Sequence, residues 1–290
     1  MTSRPFPHLF VLVAFAGLLC NPATTLAAGS GPSLCLAAHF AALAGGPAAG
    51  AVTCTDSAVF GDVGVVFPGT FVGTACTIVG TVNEDATAAY ADFLAAYNAL
   101  EFDTPCDQTL TGTLAGVTLA PGVYCFTAAA TLTGTLTLNG PVDGVWIFKI
   151  GTGGTGALTG TGFSVVMAGD AAGTCPNVYW WVAQDATLTN SNFMGTILAG
   201  ADITVTGGTF VGEALAGGAG TIAVPTGAVT LTNSTIRACP PAGGNVVYVK
   251  RKCNQGVGNG PEGCDPGNSN HRNPSNDELG GTPGNPGRKK

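Results

Sequence analysis

ATLTNSNF (186–193), DITVTGGTF (202–210) and AVTLTNSTI (228–236) carry one pattern three times within about fifty residues. In each, two threonines flank an apolar residue, a small polar turn follows, and a large apolar residue closes the unit. The units align without gaps. Thr187, Thr204 and Thr230 correspond, as do Thr189, Thr206 and Thr232, with Leu188, Val205 and Leu231 between them. Phe193, Phe210 and Ile236 close the three units. Their starts lie 17 residues apart (187 to 204) and then 26 (204 to 230), the longer step holding an insert at 217–225.

Short strands repeating at this interval predict a β-solenoid. Successive side chains in a strand point to opposite faces. Leu188, Val205 and Leu231 therefore stack inward, while the threonines on either side stack outward. Coils of a solenoid lie about 4.8 Å apart, and next-but-one residues of a strand about 6.7 Å apart. The outcome is a lattice of hydroxyls and methyls. Two looser copies, ATLTGT (130–135) and ALTGTGF (157–163), extend it toward the N-terminus. The candidate face thus comprises Thr131, Thr133, Thr159, Thr161, Thr187, Thr189, Thr204, Thr206, Thr230 and Thr232. A Greek-key sandwich is the competing fold, but it leaves the in-register triplets unexplained.

Composition narrows what such a face can do. Only 9% of the 290 residues are charged, against about a quarter in an ordinary globular chain, and 37 threonines cover the surface in their place. Between Ala28 and Val249 the strong bases are Lys149 and Arg237, against thirteen acids. Two cations cannot neutralise a run of phosphates, which excludes nucleic acid as a partner and disfavours anionic lipid. His39 is the body's one histidine and no CxxC occurs, so neither a metal site nor a Ser–His–Asp set is expected. No cofactor is expected either.

The chain opens with Arg4 and His8 before the apolar run 9–19, then small residues at 25–27. This reads as an export signal over 1–27, too short to span a bilayer. No later segment is apolar enough to cross a membrane, and the mature protein is expected outside the cell or at its surface. Nine cysteines follow the signal, and an oxidising space favours disulfides. Cys253 and Cys264 are natural partners in the tail. The seven of the body leave one odd thiol, and their connectivity is open.

One stretch has helical periodicity. Tyr90, Phe93, Leu94, Tyr97 and Leu100 follow at spacings of three and four, with Asn83 as the expected cap, Glu84 and Asp85 in the first turn, and Pro105 beyond the end. The domain is expected over 28–240. Residues 241–290, rich in Gly, Pro and Asn, are expected to form a flexible extension.

Longer stretches make the chain recognisable. LCLAAHFAALAG (34–45), FGDVGVVFPGT (60–70), ATAAYADFLAAYNAL (86–100), LAGVTLAPGVYCF (114–126), GVWIFKIGT (144–152), VYWWVAQDATLTNSNFMGTILAGADIT (178–204) and AVTLTNSTI (228–236) follow in order from Leu34 to Ile236. In these the chain closely resembles the ice-binding-like family, also called the domain-of-unknown-function 3494 family. The resemblance implies a mainly β fold: a discontinuous β-solenoid of roughly triangular section with one long helix packed along its side. It implies a secreted antifreeze-type protein whose partner is the ice crystal surface and which does no covalent chemistry. The family's loose motif, Thr-(Ala/Gly)-any-(Thr/Asn), fits 74–77, 152–155 and 206–209. Against a flat face stand the size differences among Asn190, Gly207 and Asn233, and the insert before Pro225.

Two other readings stay open. Asp185 and Asp202 fall 17 residues apart, one coil, and Glu213 adds a third acid, the kind of pairing that serves acid and base in glycoside hydrolysis. Trp146, Trp180 and Trp181 offer rings on which a cell-surface glycan could stack, which would make the domain an adhesive module. WIFKI and YWWV are strand segments, so Trp146 and one of the adjacent pair are expected in the core. Lys149 within WIFKI has no evident partner. The chain is expected to act as a monomer.

Overall fold

The computed structural model describes residues 30–46, 50–102, 104–171, 177–219 and 227–239. The chain divides into two units, Met1–Ala242 and Gly243–Lys290, and every described residue belongs to the first. The expected signal over 1–27, the tail and its expected Cys253–Cys264 bridge lie outside the described residues.

Short strands stack in parallel, coil upon coil, to form three walls around one core. Wall 1 is a nine-stranded sheet. It runs from Val82–Asn83 through Asp62–Val65, Phe40–Ala44, Ala214–Ala216, Thr196–Ala199, Asn177–Val182, Val145–Ile150 and Gly122–Phe126 to Gln108–Thr109. Walls 2 and 3 share an eleven-stranded sheet because its long strands, such as Ala186–Met194 and Ile203–Val211, turn a corner midway. Each such strand puts its first half in wall 2 and its second half in wall 3.

The corner has a backbone signature. Asn190, Asn233, Asp56 and Ala75 have φ of 48°, 50°, 48° and 50°, and Gly134, Gly162 and Gly207 have 71°, 56° and 69°. Left-handed residues are costly except for glycine and, more mildly, asparagine and aspartate, which is why the turn after each TxT reads as small and polar. The differing sizes of Asn190, Gly207 and Asn233 therefore fall on an edge between walls and leave wall 2 flat. Just inside the corner, buried serines serve the bent backbone. The Ser191 hydroxyl donates to the Thr189 carbonyl at 3.1 Å and accepts from the Phe163 N–H at 3.2 Å. Ser234 and Ser57, two and three coils on, meet each other in the same position.

Spatial order departs from chain order. The strands of residues 40–44 and 51–83 form two coils stacked against the last C-terminal coil, so that Ala42 pairs with Ala214 and Val52 with Val229. The chain then crosses to the far end as a helix, α1 (Thr87–Phe102), and climbs back coil by coil from Gln108. A helix of that length spans about 24 Å, five strand spacings. Phe93, Tyr97 and Leu100 pack on Leu43, Leu215, Leu198, Trp181 and Ile147, outward residues of wall 1. The central strands of wall 1 are thus buried on both faces.

The expected helix start is corrected. Val82–Asn83 is a strand of wall 1 paired with Val63 and Gly64, so its backbone is already committed. The Asn83 side chain accepts from the Asp85 N–H at 3.0 Å, and Asp85 in turn accepts from the Thr87 hydroxyl at 2.6 Å. Glu84 and Asp85 precede the first turn rather than occupying it. At the other end Lys149 finds the partner the sequence did not show. Buried beneath the helix C-terminus, its Nζ donates to the carbonyls of Glu101 (3.0 Å) and Thr104 (2.7 Å). A cation there satisfies orphan carbonyls and opposes the helix dipole.

Cys54–Cys76 and Cys106–Cys125 each tie an end coil to its neighbour. End coils pack on one side only, and a crosslink of this loop length contributes about 3 kcal/mol. Cys35 and Cys239 are also disulfide-bonded, and no described cysteine is free. The expected odd thiol is thus not found among the described residues.

Candidate functional site

Wall 2 carries the threonines. Thr131, Thr159, Thr187, Thr204 and Thr230 are consecutive partners, and Thr53 continues the row before Val72 ends it. Beside it run Thr161, Thr189, Thr206, Thr232, Thr55 and Thr74. All point away from the core, whose inward neighbours on the same strands are Leu132, Leu188, Val205, Leu231 and Cys54. No acid or base stands in either row.

Nine of the ten residues expected on this face stand in register. Thr133 does not, because the step from Leu132 to Gly134 is matched by Gly160 to Phe163, one residue longer. The insert at 217–225 leaves the strands alone, since Val229, Thr230, Leu231 and Thr232 pair with 203–206 without a shift. Its described flanks, Gly217 and Gly227, lie against each other at the corner between walls 1 and 2, and residues 220–226 lie outside the described residues.

Sequence reading missed Thr53, Thr55 and Thr74. The signal was present, because AVTCT (51–55) is itself a Thr-x-Thr segment with an apolar centre. Nothing local says that it sits beside 229–232. The looser family motif fares differently. In 74–77 and 206–209 it straddles the corner, one threonine on wall 2 and the other on wall 3, whereas 152–155 lies in a loop.

Wall 3 is the other exposed wall. One of its outward rows includes Asn192, Thr209, Thr235, Ala58 and Thr77. The other includes Met194, Val211, Arg237, Phe60 and Val79, with the Arg237 guanidinium 4.4 Å from the centre of the Phe60 ring.

The carboxylates do not converge. Asp185 accepts from the Asp202 N–H at 3.1 Å, and Asp202 from the Ala228 N–H at 2.8 Å, so both hold the corner between walls 1 and 2. Glu213 lies at a different corner, between walls 3 and 1, and is buried. It accepts from the Thr196 hydroxyl and, at 2.9 Å, from the Cys239 N–H. Burial pushes its carboxyl up to about 7, partly opposed by these hydrogen bonds. The three tryptophans are buried as well, Trp146 and Trp180 in the core and Trp181 under α1. None offers an open ring to a sugar. No group of three or more metal-ligating side chains occurs among the described residues, and no helix among them is long and apolar enough to cross a membrane.

Comparison with known proteins agrees with this geometry. The model of a family described as ice-binding-like matches residues 24–237. An ice-binding protein from Nostoc sp. (strain HG1) is 36% identical over 245 residues, covering 82% of this chain and 84% of that protein. The crystal structure of an ice-binding protein from an Antarctic biological consortium superimposes with a TM-score of 0.61 at 30% identity, covering 73% of this chain and 93% of the other. One from the Antarctic ascomycete Antarctomyces psychrotrophicus gives 0.60 at 29% identity, covering 73% and 100%.

Proposed function

The chain belongs to the ice-binding-like family, and from that premise we propose that it is a non-catalytic, exported ice-binding protein whose binding surface is wall 2. The observation that carries this reading is the pair of uninterrupted threonine rows, six residues deep, on an uncharged exposed wall. Threonine methyls order adjacent water, while hydroxyls anchor that layer through hydrogen bonds. A β-branched side chain has few rotamers to lose when it holds that pose. Each contact is weak, so binding needs many of them at fixed spacing on one plane. A charge in the rows would keep its own hydration shell and break the match.

Thr204→Tyr or Thr206→Tyr tests the face. Each places a ring above the middle of the lattice and is expected to abolish ice shaping and recrystallisation inhibition, with the melting temperature nearly unchanged. Normal ice shaping by both variants would move the site off wall 2.

A further inference from the structure

The two ends of the solenoid are finished differently. At the far end the outermost strands, Gln108–Thr109 and Thr118–Leu119, are two residues long, and Leu114 folds over the core. At the near end one full coil presents three edges, Thr70–Thr74, Thr77–Val79 and Val82–Asn83, each outermost in its wall among the described residues. Sheet edges in soluble proteins are ordinarily blunted by charge, proline or a bulge, because their unpaired N–H and C=O groups template further pairing. Here residues 63–83 contain no charged side chain. Phe67, Val72, Val79 and Val82 are 77%, 50%, 55% and 41% exposed. Phe71, Cys76 and Ile78 form the floor of the core and are only half covered. Cys54–Cys76 ties this coil to its neighbour.

We propose that this end is an interface for a second copy of the chain, two solenoids meeting end to end about a two-fold axis. This departs from the monomer expected of the sequence. A two-fold through wall 2 sets Thr70–Thr74, the longest of the three edges, antiparallel to itself. The same rotation brings Thr77–Val79 of one copy against Val82–Asn83 of the other. An isologous contact must be self-complementary, and the three edge strands themselves carry no charge to repel their own image, the nearest acids being Asp62, which holds Thr81, and Glu84 and Asp85 just beyond Asn83. Such pairing satisfies the open backbone groups of three walls at once and covers the core floor. It also places the two threonine walls side by side in one plane, although the interface does not depend on what that plane binds.

The test is the mass of the full chain in solution, measured without ice by sedimentation equilibrium and light scattering. Twice the chain mass is expected. Val79→Lys combined with Val82→Lys puts cations on facing edges outside the threonine rows. That variant is expected to sediment as a single chain, with unchanged circular dichroism and melting. A single-chain mass for the unsubstituted protein overturns the proposal, and so does a double variant that stays paired. Slow amide exchange at 70–74 in a single chain likewise overturns it, showing the edge covered by the chain's own residues.

Discussion

Walls 2 and 3 are cut from the same strands. Ala186–Met194 and Ile203–Val211 each pass through one left-handed corner, so both walls inherit the same coil spacing and the same alternation. Yet wall 2 shows threonine on threonine for six coils, while wall 3 mixes asparagine, threonine, valine and methionine and carries Arg237 against Phe60. Backbone regularity alone therefore does not make a binding plane. Repetition of one rigid, uncharged side chain on that backbone does, and wall 3 serves as an internal control.

The largest effect should come from the contrast itself. Thr206→Tyr on wall 2 is expected to remove ice activity, and microscopy of crystal habit with a recrystallisation assay would show it. Next comes the corner that both walls share. Gly207 has a φ of 69°, and a Cβ there would stand 2.3 Å from the Asn190 side-chain oxygen. Gly207→Val is expected to lower stability by about 2 kcal/mol in chemical denaturation, and to weaken ice binding by tilting the two walls.

A smaller effect depends on pH. Burial pushes the Glu213 carboxyl up to about 7 from an ordinary 4.5, so the folded state holds its proton where the unfolded state has lost it. Stability contributed by that proton is present below the ordinary value and declines as pH rises through about 7. The titratable group near it is the Tyr179 phenol, which burial and Glu213 push up to about 12, leaving it neutral throughout this window. Glu213→Gln is expected to flatten the decline, a difference of about 3 kcal/mol between the ends of the window, readable as melting temperature against pH. The smallest effect sharpens the comparison from the other side. Thr209→Tyr on wall 3 should leave ice shaping unchanged, and a loss there as complete as at Thr206 would make the corner, rather than wall 2, the binding surface.

Several features were legible without coordinates. The triplets at 187–189, 204–206 and 230–232 set the coil alternation and the facing of the threonines, because a period of two admits one arrangement of inside and outside. The stripe from Tyr90 to Leu100 located the helix, although Asn83 was misread as its cap, since a strand and a helix start both accept asparagine. The resemblance over 34–236 supplied the discontinuous solenoid.

Sequence alone determined the alternation, the uncharged surface and the repeated threonines, because these follow from side-chain chemistry and local periodicity. Tertiary structure decided which strands are neighbours. It placed Thr53 and Thr55 beside Thr230 and Thr232, buried Trp181 and Lys149 under α1, and turned Asn190 and Asn233 from irregularities of a face into its border. The reason is physical. A strand carries no mark naming the partner that completes its hydrogen bonds, and only closure of the whole stack assigns one.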